Sequence, residues 1–167
     1  PSTETLIEFT HRATSGVDYL LTIALVVFAF RLWPRKHRVR RAAGTALFFM
    51  TLEALLGAGL VLLGLVGTDA SPARAVMMMV HLLNTFCLLA GLVLTAIWAR
   101  DTRPIRLDKH FVLPLSIALG SVVLIGLTGA IAALGDTLFP AGSLSEGLAA
   151  DLDPRSHFLL RLRTLHP

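Results

Sequence analysis

Six histidines draw attention first, because imidazole both titrates near neutrality and ligates metals as a neutral donor. They fall into two groups. His37 and His110 lie among arginines and lysines, where a solvated or lipid-facing role is the default. His11, His81, His157 and His166 lie toward the opposite ends of apolar stretches. His11 precedes Arg31 by 20 residues, and His81 precedes Arg100 by 19. At the rise of an α-helix, both imidazoles stand about 29–30 Å from a basic boundary. Two histidines at one depth on neighbouring helices can grip an iron from its two faces, a standard way of holding haem in a helix bundle. A histidine in a span can equally bond a neighbouring helix, and spacing alone does not separate the two. His166 follows Arg161 and Arg163 at what reads as the start of a further helix, mirroring His11. His157, nine residues earlier, is expected in solvent.

Acids and bases near these histidines extend the picture. Glu8 precedes His11 by three residues, one helical turn away on the same face. It could orient the imidazole, receive a proton or contact a ligand; the alternative is an interfacial acid favoured by the helix dipole. Arg12 suits an oxyanion, either a haem propionate or a lipid phosphate. Glu53 lies well inside an apolar run, where an ionisable group is costly and must pair or face a cavity. A helix–helix hydrogen bond is favoured there over a proton relay. Asp18 is ambiguous, and Met77, Met78 and Met79 point three ways around a helix and read as packing. Cys87 is the only cysteine, so neither an internal disulfide nor a thiolate metal cluster is expected.

The elements that must hold these groups are transmembrane helices. Of 167 residues, 54% are hydrophobic and 16% charged, with a mean hydropathy of +0.71; a soluble domain carries about 25% charge. Four apolar runs are long enough to cross a bilayer, which takes roughly 20 residues as helix. Helices are expected over about 4–31, 42–66, 75–98 and 111–134. A basic cytoplasmic loop is expected at 99–110, an outer loop at 135–156 and the start of another helix at 157–167. No acid stands among Arg31, Arg35, Lys36, Arg38, Arg40 and Arg41, and Arg100, Arg103, Arg106 and Lys109 mark the other basic connection. The positive-inside rule places both in the cytoplasm. The net charge of +4 and pI near 10.2 therefore read as topology rather than nucleic-acid binding. The chain begins at Pro1 without methionine and stops as a helix starts, which reads as a piece of a longer polypeptide.

Leu6-Ile7-Glu8-Phe9-Thr10-His11-Arg12 resembles the Glu-x-x-His-Arg signature of the heme A synthase family. The likeness continues in order through Leu56-Gly57-Ala58, His81-Leu82, the run from Thr128 to Asp136 and the run from Leu159 to Pro167. The resemblance implies an all-α, polytopic membrane helix bundle, half of a two-half eight-helix architecture. Residues 1–98 would be the remainder of the first half and 111–167 the start of the second. It implies His11 and His81 as the axial pair of one haem iron and His166 as the first ligand of another. The implied reaction is oxidation of the C8 methyl of haem O to a formyl group, making haem A for terminal oxidases. Glu8 would be catalytic, Arg12 would bind cofactor and haem b would carry electrons. The implied partners are haem O, haem O synthase, terminal oxidase assembly factors, the lipid bilayer and a homo-oligomer. The implied location is the bacterial plasma membrane with the histidines toward the outer face, or the mitochondrial inner membrane.

A di-haem b-type cytochrome would use the same histidine geometry and is separated from a synthase by Glu8 and the family likeness. A transporter or assembly scaffold with packing histidines predicts no haem.

Overall fold

The structure, a computed structural model, describes residues 3–101, 103 and 108–166, leaving aside the side chain of Glu4. The described residues are all-α: α1 Thr3–Leu32, α2 Arg38–Leu62, α3 Pro72–Arg100, α4 Lys109–Leu138, α5 Leu144–Leu152 and α6 Phe158–Arg163. The first four are long and apolar enough to cross a membrane. They expose large apolar side chains along their length, among them Leu20, Phe28, Leu55, Val93, Leu113 and Leu124. Such surface calls for apolar cover, from lipid or from further helices.

Many hydroxyls within these helices are satisfied locally. Thr10, Thr14, Thr22, Thr51, Thr95, Ser116, Thr128 and Thr137 each turn the hydroxyl back onto the carbonyl four residues earlier, at 2.7–3.0 Å. A hydroxyl that bonds its own helix can sit in hydrocarbon without a partner elsewhere.

Helix ends follow local chemistry, and here the structure departs from sequence expectation. The second span was expected to reach residue 66, yet α2 stops at Leu62. Gly64 adopts φ 70°, while Leu65 N–H donates to Leu60 O at 2.9 Å and Gly64 N–H to Val61 O at 3.1 Å. This is a Schellman cap, for which a left-handed glycine is the usual requirement. Ser71 accepts from Arg74 N at 3.2 Å to start α3, with Pro72 in the first helical position. The Arg74 guanidinium holds the preceding turn through Gly67 O and Asp69 O at 2.8 and 2.7 Å.

The expected outer loop 135–156 also differs, because it contains α5. Ser143 accepts from Glu146 N at 3.2 Å, and the Glu146 carboxylate reaches back to Gly142 N at 3.1 Å. This Ser-x-x-Glu arrangement is a capping box.

The chain forms two compact units. The first takes Pro1–Leu55 and Asn84–Pro104. Ala29, Val39 and Ala43 are buried at its centre, with Leu25, Val26, Trp33 and Trp98 packed around them. A β-carbon on Gly91 would lie 3.1 Å from the Ala46 backbone, so glycine is what lets α2 and α3 approach here.

The second unit takes Leu56–Leu83 and Ile105–Pro167. Ala75, Leu134 and Leu159 form its core. α6 runs over Gly135, whose added β-carbon would meet Leu159 O at 3.4 Å. Arg163 ties the unit together, bonding Asp151 at 2.5 Å, Asp136 at 2.6 Å and Gly147 O at 3.3 Å. Burial alone pushes its pKa down, but the hydrogen bonds and charges of Asp151 and Asp136 outweigh this and raise it above the ordinary value. The guanidinium stays charged at any working pH.

The Arg163 and Asp151 side chains are 12% and 13% exposed, whereas that of Asp136 is 67% exposed. Replacing Arg163 with Ala strands a shielded carboxylate and should cost about 2–3 kcal/mol. Asp136→Asn should cost under about 1 kcal/mol, as an exposed pair does. Thermal melts of the purified protein in one detergent will show this as a drop of several degrees for the first variant and little change for the second.

Candidate functional site

His166 lies in the turn that follows α6, its N–H bonded to Arg163 O at 3.0 Å. Its Nδ1 is 3.2 Å from the Thr128 hydroxyl of α4. That hydroxyl directs its own hydrogen to Leu124 O at 3.0 Å, so its oxygen remains as an acceptor. In the tautomer with the proton on Nδ1, His166 donates to this oxygen and Nε2 keeps its lone pair. Ligating histidines are typically oriented in this way by a second partner. Gly129 makes the arrangement possible, since a β-carbon there would stand 3.1 Å from His166 Cε1.

His81 on α3 repeats part of this pattern. Its Cε1 lies 4.0 Å from where a β-carbon on Gly57 of α2 would stand. Each of these two histidines in the second unit thus has its Cε1 edge toward a glycine on an earlier helix. The signal was present in the sequence, because Gly57 and Gly129 both belong to the quoted family runs.

His11, Glu8 and Arg12 lie in the first unit, near the start of α1, and all three are exposed. Glu8 is ion-paired to Arg12, four residues on, at 2.5 Å, with the side chains 61% and 63% exposed. A pair this open is worth little and is easily exchanged for a ligand contact. Both groups are therefore available to an anion or a proton donor.

Two of the remaining histidines have structural work. His157 was expected in solvent, but it caps α6, accepting from Leu159 N at 3.4 Å, and its ring lies 4.9 Å from Phe139 and 4.6 Å from Phe158. The flanking aromatic residue in the sequence was the available clue. His37 accepts from Val39 N at 3.3 Å at the start of α2. His110 is exposed in the first turn of α4.

Glu53 engages a neighbouring helix: Asn84 Nδ2 and the Thr85 hydroxyl of α3 both donate to its carboxylate. Asn84 is 6% exposed and also donates to Phe49 O at 2.9 Å. The two donors were not singled out in the sequence, because neither Asn nor Thr reveals its partner by spacing. Tyr19 and Thr51 join α1 to α2 through a 3.0 Å hydroxyl contact. Among the described residues, no group of three or more His, Cys, Asp or Glu is arranged to hold a bare metal ion.

Residues 2–153 match the family model COX15-CtaA, described as cytochrome oxidase assembly protein. The chain belongs to this family. It is 52% identical over 169 residues to a protein of Thermus thermophilus named protoheme IX farnesyltransferase, the match covering all of this chain and 28% of that one. A heme A synthase of an Exiguobacterium species is 40% identical over 62 residues, 37% of this chain and 21% of the relative. A heme A synthase of Symbiobacterium thermophilum is 39% identical over 57 residues, covering 34% and 19%. The chain spans less than a third of the length of these relatives. No solved structure matches it significantly.

Within this family member, the Glu53 cluster is a test of structural against chemical roles. Glu53→Leu removes an acceptor from the buried Asn84 amide and should cost about 1–3 kcal/mol. Glu53→Gln keeps an acceptor and should cost less. Melting temperatures of the two variants in one detergent will rank them.

Proposed function

We propose that this chain is part of a heme A synthase, a membrane oxidoreductase that converts the C8 methyl of haem O to a formyl group. The observation that carries the reading is the family match over residues 2–153, which includes Glu8, His11 and His81. The relatives named heme A synthase support the same reaction. The Thermus relative's name points to attachment of a farnesyl group to protoheme, a reaction on the same macrocycle.

In this reading His11, His81 and His166 would hold haem iron through their imidazoles. The Thr128 contact to His166 Nδ1 and the glycine beside each of His81 and His166 support it, because a second partner orients a ligating imidazole and a glycine leaves room beside it. Bound haem iron supplies the redox chemistry. The protein's own part is to bind, orient and manage protons. Glu8, one turn from His11, would accept a proton during the oxidation. Arg12 leaves Glu8 to meet a haem propionate, a carboxylate that guanidinium recognises in a bidentate manner. Haem b is the electron-carrying cofactor and haem O the substrate.

The proposed setting is the bacterial plasma membrane, with the arginine-rich connections inside and the histidines toward the outer face. The proposed partners are haem O synthase, terminal oxidase assembly factors and a second copy in a homo-oligomer.

Visible absorption of the purified full-length protein tests the haem assignment. A bis-imidazole spectrum is expected, and a protein that binds no haem would sink the reading. Glu8→Ala should retain that spectrum while haem A in the extracted pigment falls by about 100-fold or more. Haem A output equal to the parent would remove Glu8 from the mechanism. A pigment never converted by the parent protein would make it a di-haem cytochrome. Thr128→Val removes the partner of His166 Nδ1 and should weaken haem retention at that site about 10-fold, read by haem titration of the stripped protein.

A further inference from the structure

The basic residues at the start of α2 do more than mark topology. Two clefts of about 530 Å³ each open there, both within the first unit. Arg35, His37 and Arg40 line one, beside Phe30 and Phe48. Arg38 lines the other, which continues between α2 and α3 along Phe49, Ala90, Leu94 and Trp98. Arg41 and Thr45 belong to both.

Two of the guanidinium groups rest on aromatic rings. Arg40 lies 4.1 Å from the centroid of Phe30, and Arg38 lies 5.9 Å from that of Trp98. Such contacts hold a guanidinium in place while leaving its N–H donors free for an oxyanion. Among the described residues, none of Arg35, Arg38, Arg40 and Arg41 forms an ion pair with an acid. The positive charge gathered here thus lacks a counter-charge from the described protein.

We propose that this end of the first unit is a binding site for an anionic phospholipid. Its phosphodiester meets Arg38 and Arg41, and an acyl chain lies in the cleft between α2 and α3. Charge complementarity selects an anion, and the apolar walls select one that carries hydrocarbon. Free phosphate would satisfy the arginines and leave Leu94, Phe49 and Trp98 uncovered. Basic pockets between transmembrane helices on the cytoplasmic side are suited to such headgroups, and that leaflet is the anionic one. The site uses none of the residues proposed to ligate iron, so it stands apart from the haem reading.

Native mass spectrometry of the full-length protein, delipidated in a neutral detergent, tests this with dioleoyl phosphatidylglycerol and dioleoyl phosphatidylcholine. The anionic lipid should bind roughly 10- to 30-fold more tightly, the effect of about two arginines. The double variant Arg38→Gln, Arg41→Gln should bring it down to the level of phosphatidylcholine. Arg100→Gln with Arg103→Gln removes the same charge from residues that line neither cleft and should keep the preference. Ala90→Trp, which fills the acyl part, should lose phosphatidylglycerol with all arginines present. Retention of tertiary fold in each variant is checked by its melting temperature. Equal affinity for both lipids, or equal loss in the two charge variants, would overturn the site. Full displacement of the lipid by millimolar inorganic phosphate would assign it to free phosphate instead.

Discussion

Within the hydrocarbon of a bilayer there is no water to solvate a polar group, and the structure is organised around that constraint. Backbone amides are satisfied by running as helix. The hydroxyls of Thr22, Thr51 and Thr95 are satisfied by folding onto their own helix. Glu53 is met from a neighbouring helix by Asn84 and Thr85. A carboxylate so bound links α2 to α3 more specifically than apolar contact could, because lipid competes with leucine but offers nothing to an acid.

The same constraint shapes the histidines. An imidazole near hydrocarbon needs a partner for its N–H, and Thr128 provides it for His166 while its own hydrogen is already committed to Leu124 O. The same contact orients the His166 ring against α4. Glu8 and Arg12 follow the opposite logic. They are exposed at the start of α1, where their ion pair is weak and its members are easily redirected.

Much of this was legible from residue types. The four spans follow from runs of apolar residues, and the basic connections from the clustering of arginine without acid. The histidine spacing follows from helical rise. Misreadings arose where capping chemistry overrides composition. The apolar run containing Leu65 and Val66 continues past the end of α2, but Gly64 turns the backbone before it. The polar stretch around Ser143 and Glu146 has a loop's composition yet forms α5, because Ser143 satisfies a first-turn amide and Glu146 the Gly142 amide just before the helix. His157 was placed in solvent by its position in a polar segment, whereas Phe139, 18 residues away, helps to bury it.

By itself the sequence determined that the chain forms helices long and apolar enough to cross a membrane, and which of their ends carry the basic residues. These follow from local hydrophobicity, charge and the fixed rise of a helix, none of which needs a partner. Tertiary structure alone decided that Thr128 meets His166 Nδ1, that Asn84 and Thr85 meet Glu53, and that Arg163 gathers Asp136 and Asp151. Each joins residues from separate helices or turns, at sequence distances where no periodicity operates. Such pairs exist only once packing has brought both partners out of solvent, and the cost of leaving either one unmet then holds them together.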